Sequence, residues 1–118
     1  MEDIIYKECN ITILGEINIG KSSIIRRFCY NDITEYIYRK GPDSKEFIID
    51  EKQKKGIDFI FRETYGQEKY RAFTEKFYYN IDIAVLAYDI TRKETFQEIK
   101  NYWYGQVELY APKYTSMY

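Results

Sequence analysis

The chain has no histidine and only two cysteines, Cys9 and Cys29. These are too few and too far apart for a zinc site or a disulfide scaffold, and free thiols fit a reducing compartment. Proline occurs twice and glycine six times in 118 residues, and no Pro- or Gly-rich linker divides the chain. A single domain is the expectation at this length. An excess of either charge is also missing: 18 basic residues face 19 acidic ones, for a net charge of -1. That balance excludes a broad nucleic-acid footprint and a polybasic membrane patch. The longest apolar run, Ile83 to Tyr88, is far short of the ~20 residues that cross a bilayer. Met1 to Tyr6 carries neither the basic head nor the apolar stretch of a signal peptide,. A cytoplasmic location is expected.

What is present describes a globular protein. Hydrophobic residues make up 45% and charged residues 31%, too apolar a mixture for disorder. Ile (18 residues) and Tyr (14) displace Leu (3), Val (2) and Ala (4). A coding bias toward A and T accounts for this better than a tyrosine-rich binding face, because the tyrosines are scattered.

Local patterns give an order of elements. Residues 9–14 read as a short buried strand ending at Gly15,. Ile24, Ile25 and Phe28 then mark one face of a helix that fades by Asn31 and Asp32. Residues 31–45 are polar, contain Gly41-Pro42 and read as a long loop,. Residues 47–49 and 57–61 read as two strands of an antiparallel hairpin. Tyr70, Phe73 and Phe77 follow at helical spacing, and residues 81–88 form a strand with apolar residues on both faces,. Thr95 and Glu98 form a capping-box signal for a last helix. Phe96, Ile99, Trp103, Val107 and Tyr110 make its core stripe, and Pro112 stops it,. This order predicts an α/β sandwich around a largely parallel sheet.

One segment carries chemistry. Gly15-Glu16-Ile17-Asn18-Ile19-Gly20-Lys21-Ser22 fits G-x-x-x-x-G-K-[ST], a pattern met by chance in roughly one chain of this length in a few hundred. It sits between a predicted strand and a predicted helix, as a phosphate-binding loop requires. Successive backbone amides must curl around phosphate oxygens, and Gly15 and Gly20 permit the necessary backbone angles. The helix start adds partial positive charge. Lys21 is placed to reach terminal phosphates, and Ser22 offers a hydroxyl to Mg²⁺.

With these residues in hand, the sequence resembles the Ras superfamily of small GTPases, most closely its Rab branch. Phe61 to Arg71 is similar to the Rab switch II run W-D-T-A-G-Q-E-R-F-R. Tyr78-Tyr79, Ala87-Tyr88-Asp89-Ile90-Thr91 and Thr95-Phe96 resemble further Rab segments, in the family's order. The resemblance implies a P-loop NTPase-like three-layer sandwich, a mostly parallel sheet with one antiparallel hairpin edge strand, in strand order 2-3-1-4. The strand at 83–88 would then leave an apolar edge open for pairing. It further implies phosphate binding through Gly15, Asn18, Ile19, Gly20, Lys21, Ser22, Ser23 and Gly66. Gln67 would orient the attacking water, and Mg²⁺ would be held by Ser22 and, through water, by Glu63. The implied cofactors are GTP or GDP with Mg²⁺. The implied partners are Rab-type effectors or regulators docking on Tyr65 to Tyr79.

Several positions depart from the family pattern. Arg39 or Lys40 stands where a switch I threonine closes on Mg²⁺, and neither cation is a metal ligand. Glu63 replaces the switch II aspartate and is one methylene longer. Ile17 brings bulk to a loop position that is usually small, beside the in-line arrangement that hydrolysis needs. The sequence reaches Tyr118 before the guanine-reading N-K-x-D and S-A-K segments of the family. Residues 1–118 therefore read as one small-GTPase-like domain without the C-terminal guanine-recognition third. Weak guanine-nucleotide binding follows, and no prenylated cysteine closes the sequence. Two functions compete: a Rab-related GTP/GDP switch of vesicle trafficking, and a nucleotide-impaired, non-hydrolysing Rab-like interaction module or truncated gene product.

Overall fold

The computed structural model describes residues 3–31, 43–62 and 75–118. Five strands form one sheet: β1 (Ile5–Leu14), β2 (Asp43–Asp50), β3 (Lys55–Arg62), β4 (Ile83–Leu86) and β5 (Ser116–Met117). Their spatial order is β2-β3-β1-β4-β5. β1 runs parallel to β3 and to β4, β4 runs parallel to β5, and β2 pairs with β3 antiparallel. The expected order of the first four strands and the single antiparallel hairpin are both present.

Side-chain alternation along the strands builds two cores. In β1, Ile11 and Ile13 point to the face covered by α1 (Lys21–Tyr30), where they pack with Ile25, Cys29 and Phe61. Leu14 points the other way and joins Tyr78, Ile81, Ala84, Trp103 and Val107. β4 feeds both cores, Ile83 and Val85 toward α1 and Ala84 and Leu86 toward the opposite layer. Alternation with apolar residues on both faces marks a strand covered on each side. The opposite layer is a helix in three consecutive pieces: α2 (Lys93–Glu98), a π-helical turn (Ile99–Trp103) and α3 (Tyr104–Tyr110). Its stripe of Trp103 and Val107 is buried, flanked by half-buried Ile99 and Tyr110, as the three-and-four spacing requires,. Ala111 turns extended before Pro112, the conformation that a following proline imposes.

Four expectations need correction. β1 begins at Ile5, four residues before the apolar run, because its polar first half pairs with β3 from Lys55 onward. β2 begins at Asp43, inside the expected 31–45 loop. β4 is not an open edge. Residues after Pro112 return to it, with Ser116 opposite Ile83 and Met117 opposite Ala84. Bonds from the Tyr118 amide to the Ala84 carbonyl (2.9 Å) and from the Leu86 amide to the Tyr118 carbonyl (2.8 Å) extend the pairing. Thr95 is not a helix cap. The helix starts two residues earlier, and Arg92 occupies the cap position without a side-chain bond. Thr95 is 1% exposed. Its hydroxyl accepts from the Asp89 amide (2.9 Å) and lies 2.7 Å from the Arg92 carbonyl, to which it donates.

Thr95 thus folds the 89–92 loop back onto its own helix, and the loop shape depends on that hydroxyl. Thr95→Val keeps the volume, leaves the Asp89 amide without its partner and takes from the Arg92 carbonyl one of the two bonds it accepts, so it should destabilise the chain by about 1–3 kcal/mol. Thr95→Ser should cost less, and urea unfolding of both variants checks the pair. Trp103 is completely buried between the sheet and the helix. Trp103→Ala should lower unfolding free energy by about 3–5 kcal/mol, read from the shift in urea midpoint.

Candidate phosphate-binding site

The site forms where the parallel strands deliver their carboxyl ends to one edge of the sheet, the place where open α/β sheets bind ligands. β1 ends at Leu14, whose carbonyl accepts from the Ala87 amide at 2.8 Å just beyond β4. Gly15 then crosses over that strand end. A Cβ at Gly15 would stand 2.3 Å from the Ala87 carbonyl oxygen and 2.5 Å from Cδ1 of Ile19. Only a residue without a side chain passes there. Asn18 turns the loop in a left-handed conformation (φ 62°), which asparagine tolerates,. Gly20 follows at φ 95° and is the residue before α1. Open space surrounds Gly20, so its requirement is conformational rather than steric.

Lys21 begins α1 and folds back across the loop. Its Nζ donates to the carbonyls of Gly15 (3.0 Å) and Glu16 (2.6 Å), and the residue is buried. An ammonium group so placed carries three donors within the curve of the loop. Among the described residues no side-chain bond caps the start of α1, and its first turn has no acidic residue. The macrodipole at such a helix start favours an anion. Ser22 and Ser23 are exposed in the same first turn. The hydroxyl of Ser22 is a hard oxygen donor of the kind Mg²⁺ takes alongside phosphate oxygens and water. The donor set suits a magnesium-bound polyphosphate, with Lys21 and the loop amides on the phosphates and Ser22 on the metal.

The structure thus brings Gly15, Asn18, Ile19, Gly20, Lys21, Ser22 and Ser23 into one loop and helix start. Glu63, Gly66 and Gln67 lie outside the described residues, as do Arg39 and Lys40 and the first part of the Tyr65–Tyr79 run. Within its described part, Tyr78 is core rather than surface, stacked on Tyr110 at 5.8 Å, and burial pushes its phenol up. Tyr79 beside it is exposed.

One residue in contact with the loop escaped the sequence reading. Arg92, at the foot of the last helix, reaches across to the loop and donates from one guanidinium nitrogen to the carbonyls of Asn18 (2.8 Å) and Ile17 (3.3 Å). Its Nε faces Oδ2 of Asp89 at 3.3 Å. Asp89 is itself fixed by the hydroxyl and amide of Thr91, at 2.6 and 2.8 Å, and those bonds hold its carboxyl below the ordinary aspartate value. The Asp-x-Thr turn was a visible signal for local order; nothing local signalled a contact 74 residues away.

Comparison with known proteins gives the family. The Ras family model matches residues 10–118. Ras-related protein RabH of Dictyostelium discoideum is 36% identical over 105 residues, covering 87% of this chain and 52% of that protein. Ras-related protein Rab-22A of Homo sapiens is 31% identical over 106 residues, covering 90% and 54%. Ras-related protein RABC1 of Arabidopsis thaliana is 28% identical over 109 residues, covering 92% and 50%. The chain spans about half the length of these curated relatives. A phosphate-type loop at the carboxyl edge of a Ras-ordered sheet and a family match across both place this chain in the Ras family, among proteins of Rab type.

Proposed function

We propose that this chain binds the phosphates of a guanine nucleotide together with Mg²⁺, as a Rab-related GTP-binding protein of the vesicle-trafficking kind. The observation that carries this reading is the Lys21 ammonium, buried within the loop on the Gly15 and Glu16 carbonyls at the start of a helix whose cap position is a glycine. A surface lysine in an ordinary strand–helix turn has no reason to be buried there. Gly66 and Gln67 fill the family roles of γ-phosphate donor and water-orienting residue in this reading. Glu63 holds the metal through water. Effectors or regulators dock on the Tyr65–Tyr79 run, and the protein works in the cytoplasm, with membrane association only if a longer, lipidated form exists.

A non-hydrolysing module is the second reading, and one observation favours it. Ile17 occupies the loop tip, and Arg92 holds its carbonyl, so the bulky residue lies on a constrained stretch of backbone. Hydrolysis needs water, γ-phosphate and metal in line, and crowding at that point costs rate.

Equilibrium binding of GDP, GTP, ADP and tripolyphosphate, with and without Mg²⁺, tests the phosphate reading. Lys21→Ala should weaken all four by about 100-fold or more, the loss of two charge-assisted hydrogen bonds. Guanine and adenine nucleotides should bind weakly and with similar strength. Unchanged affinity in Lys21→Ala overturns the reading, and strong preference for GDP over ADP reveals a base pocket in the chain. Single-turnover GTP hydrolysis separates the switch from the module. Gln67→Leu should change the rate by under about tenfold, or ~1.4 kcal/mol of barrier, while Ile17→Gly should raise it. A fast wild-type rate that collapses in Gln67→Leu returns the chain to an ordinary hydrolysing switch.

A further inference from the structure

We infer that Arg92 is a positioning residue for phosphate binding, orienting two loop amides from behind. The inference rests on the phosphate-binding reading above. Arg92 reaches the loop through the carbonyl oxygens of Ile17 and Asn18, from a turn outside the loop. Each of those carbonyls belongs to a planar peptide unit whose N–H is carried by the next residue, Asn18 and Ile19 respectively. The peptide bonds of the described residues are trans, and in a trans unit C=O and N–H point in opposite directions. Pulling both carbonyls toward Arg92 therefore turns the amides of Asn18 and Ile19 away from it. Two consecutive peptide units held this way form the kind of concave amide nest that binds anions.

The guanidinium suits this task. Its planar, permanently charged group donates from one terminal nitrogen to both carbonyls while Nε faces Asp89,. Charge-assisted donation to a carbonyl also polarises the peptide, which strengthens the N–H as a donor at the far end. Arg92 is held in turn by Asp89, which Thr91 fixes, and the turn carrying all three is tied to the helix by the buried Thr95 hydroxyl. A lysine at position 92 would keep the charge and lose the fork. Asparagine or glutamine would keep a neutral donor at shorter reach.

The full chain carrying Arg92→Ala, Arg92→Lys or no substitution is titrated with tripolyphosphate, GDP and GTP in Mg²⁺, with thermal unfolding and amide exchange recorded alongside. Arg92→Ala should weaken all three ligands by a common factor of about tenfold, because the defect lies in the phosphate cradle rather than at the base. Arg92→Lys should recover part of that factor. Exchange at the Asn18 and Ile19 amides of the ligand-bound chain should quicken in Arg92→Ala, with the unfolding temperature nearly unchanged. Lys21-dependent binding by the wild type that Arg92→Ala leaves intact overturns the role of Arg92 and spares the phosphate reading. A loss confined to GDP and GTP, with tripolyphosphate unaffected, also overturns it. So does a loss that follows a lowered unfolding temperature and is not recovered by lysine. A wild type that binds none of the three ligands defeats the phosphate reading first, and the role of Arg92 with it.

Discussion

The passage of Gly15 over the end of β4 is the constraint on which the site depends. The loop leaves β1 so close to the Ala87 carbonyl that a methyl group there would overlap it. The Ala87 amide closes the same junction from the other side by bonding to Leu14. β1 and β4 must therefore be immediate neighbours in parallel, and the register of Leu14 opposite Leu86 keeps them so. Their adjacency brings the residues just after β4 beside the loop that follows β1. Without it, Arg92 would be nowhere near Ile17 and Asn18. The backbone crossing thus sets both where the loop begins and what stands behind it.

Much of this was legible in local sequence, for physical reasons. The strand of residues 9–14 and the strand read at 81–88, of which β4 forms 83–86, announce themselves because burial demands apolar-rich runs. The stripe of Phe96, Ile99, Trp103, Val107 and Tyr110 has a single helical face. The phosphate loop is readable because its glycines and lysine answer geometric and charge demands that few other residues meet. What stayed hidden rests on pairing rather than pattern. The first half of β1 and the start of β2 are polar, and their strand character comes from neighbours, Lys55 to Asp58 for one and Asp58 to Phe61 for the other. β5 is two residues long, too short for any periodicity, and exists because β4 offers it amides and carbonyls.

Thr95 shows how one residue can satisfy a local rule and serve another end. Spaced three residues before a glutamate, it matches a capping box, yet the helix starts at Lys93. The side chain that could have capped the helix is buried, holding the Asp89 amide and the Arg92 carbonyl instead. A buried hydroxyl left unpaired would be costly, so the turn must keep the shape that satisfies it. The helix is in turn fixed against the sheet by Trp103 and Val107.

A path of direct contacts follows, from core to loop. Trp103 seats the helix, the helix carries Thr95, and Thr95 shapes the turn at Asp89 to Arg92. Arg92 then grips the Ile17 and Asn18 carbonyls of the loop, while Lys21 grips those of Gly15 and Glu16. The two cations hold different peptide units from two separate elements, one at the head of α1 and one at the foot of the last helix. A glycine-bearing loop is intrinsically permissive, and ordering it costs backbone entropy that binding would otherwise have to supply. Anchoring Gly15 to Asn18 before any anion arrives shifts that cost onto folding, where the packing of two hydrophobic cores offsets it.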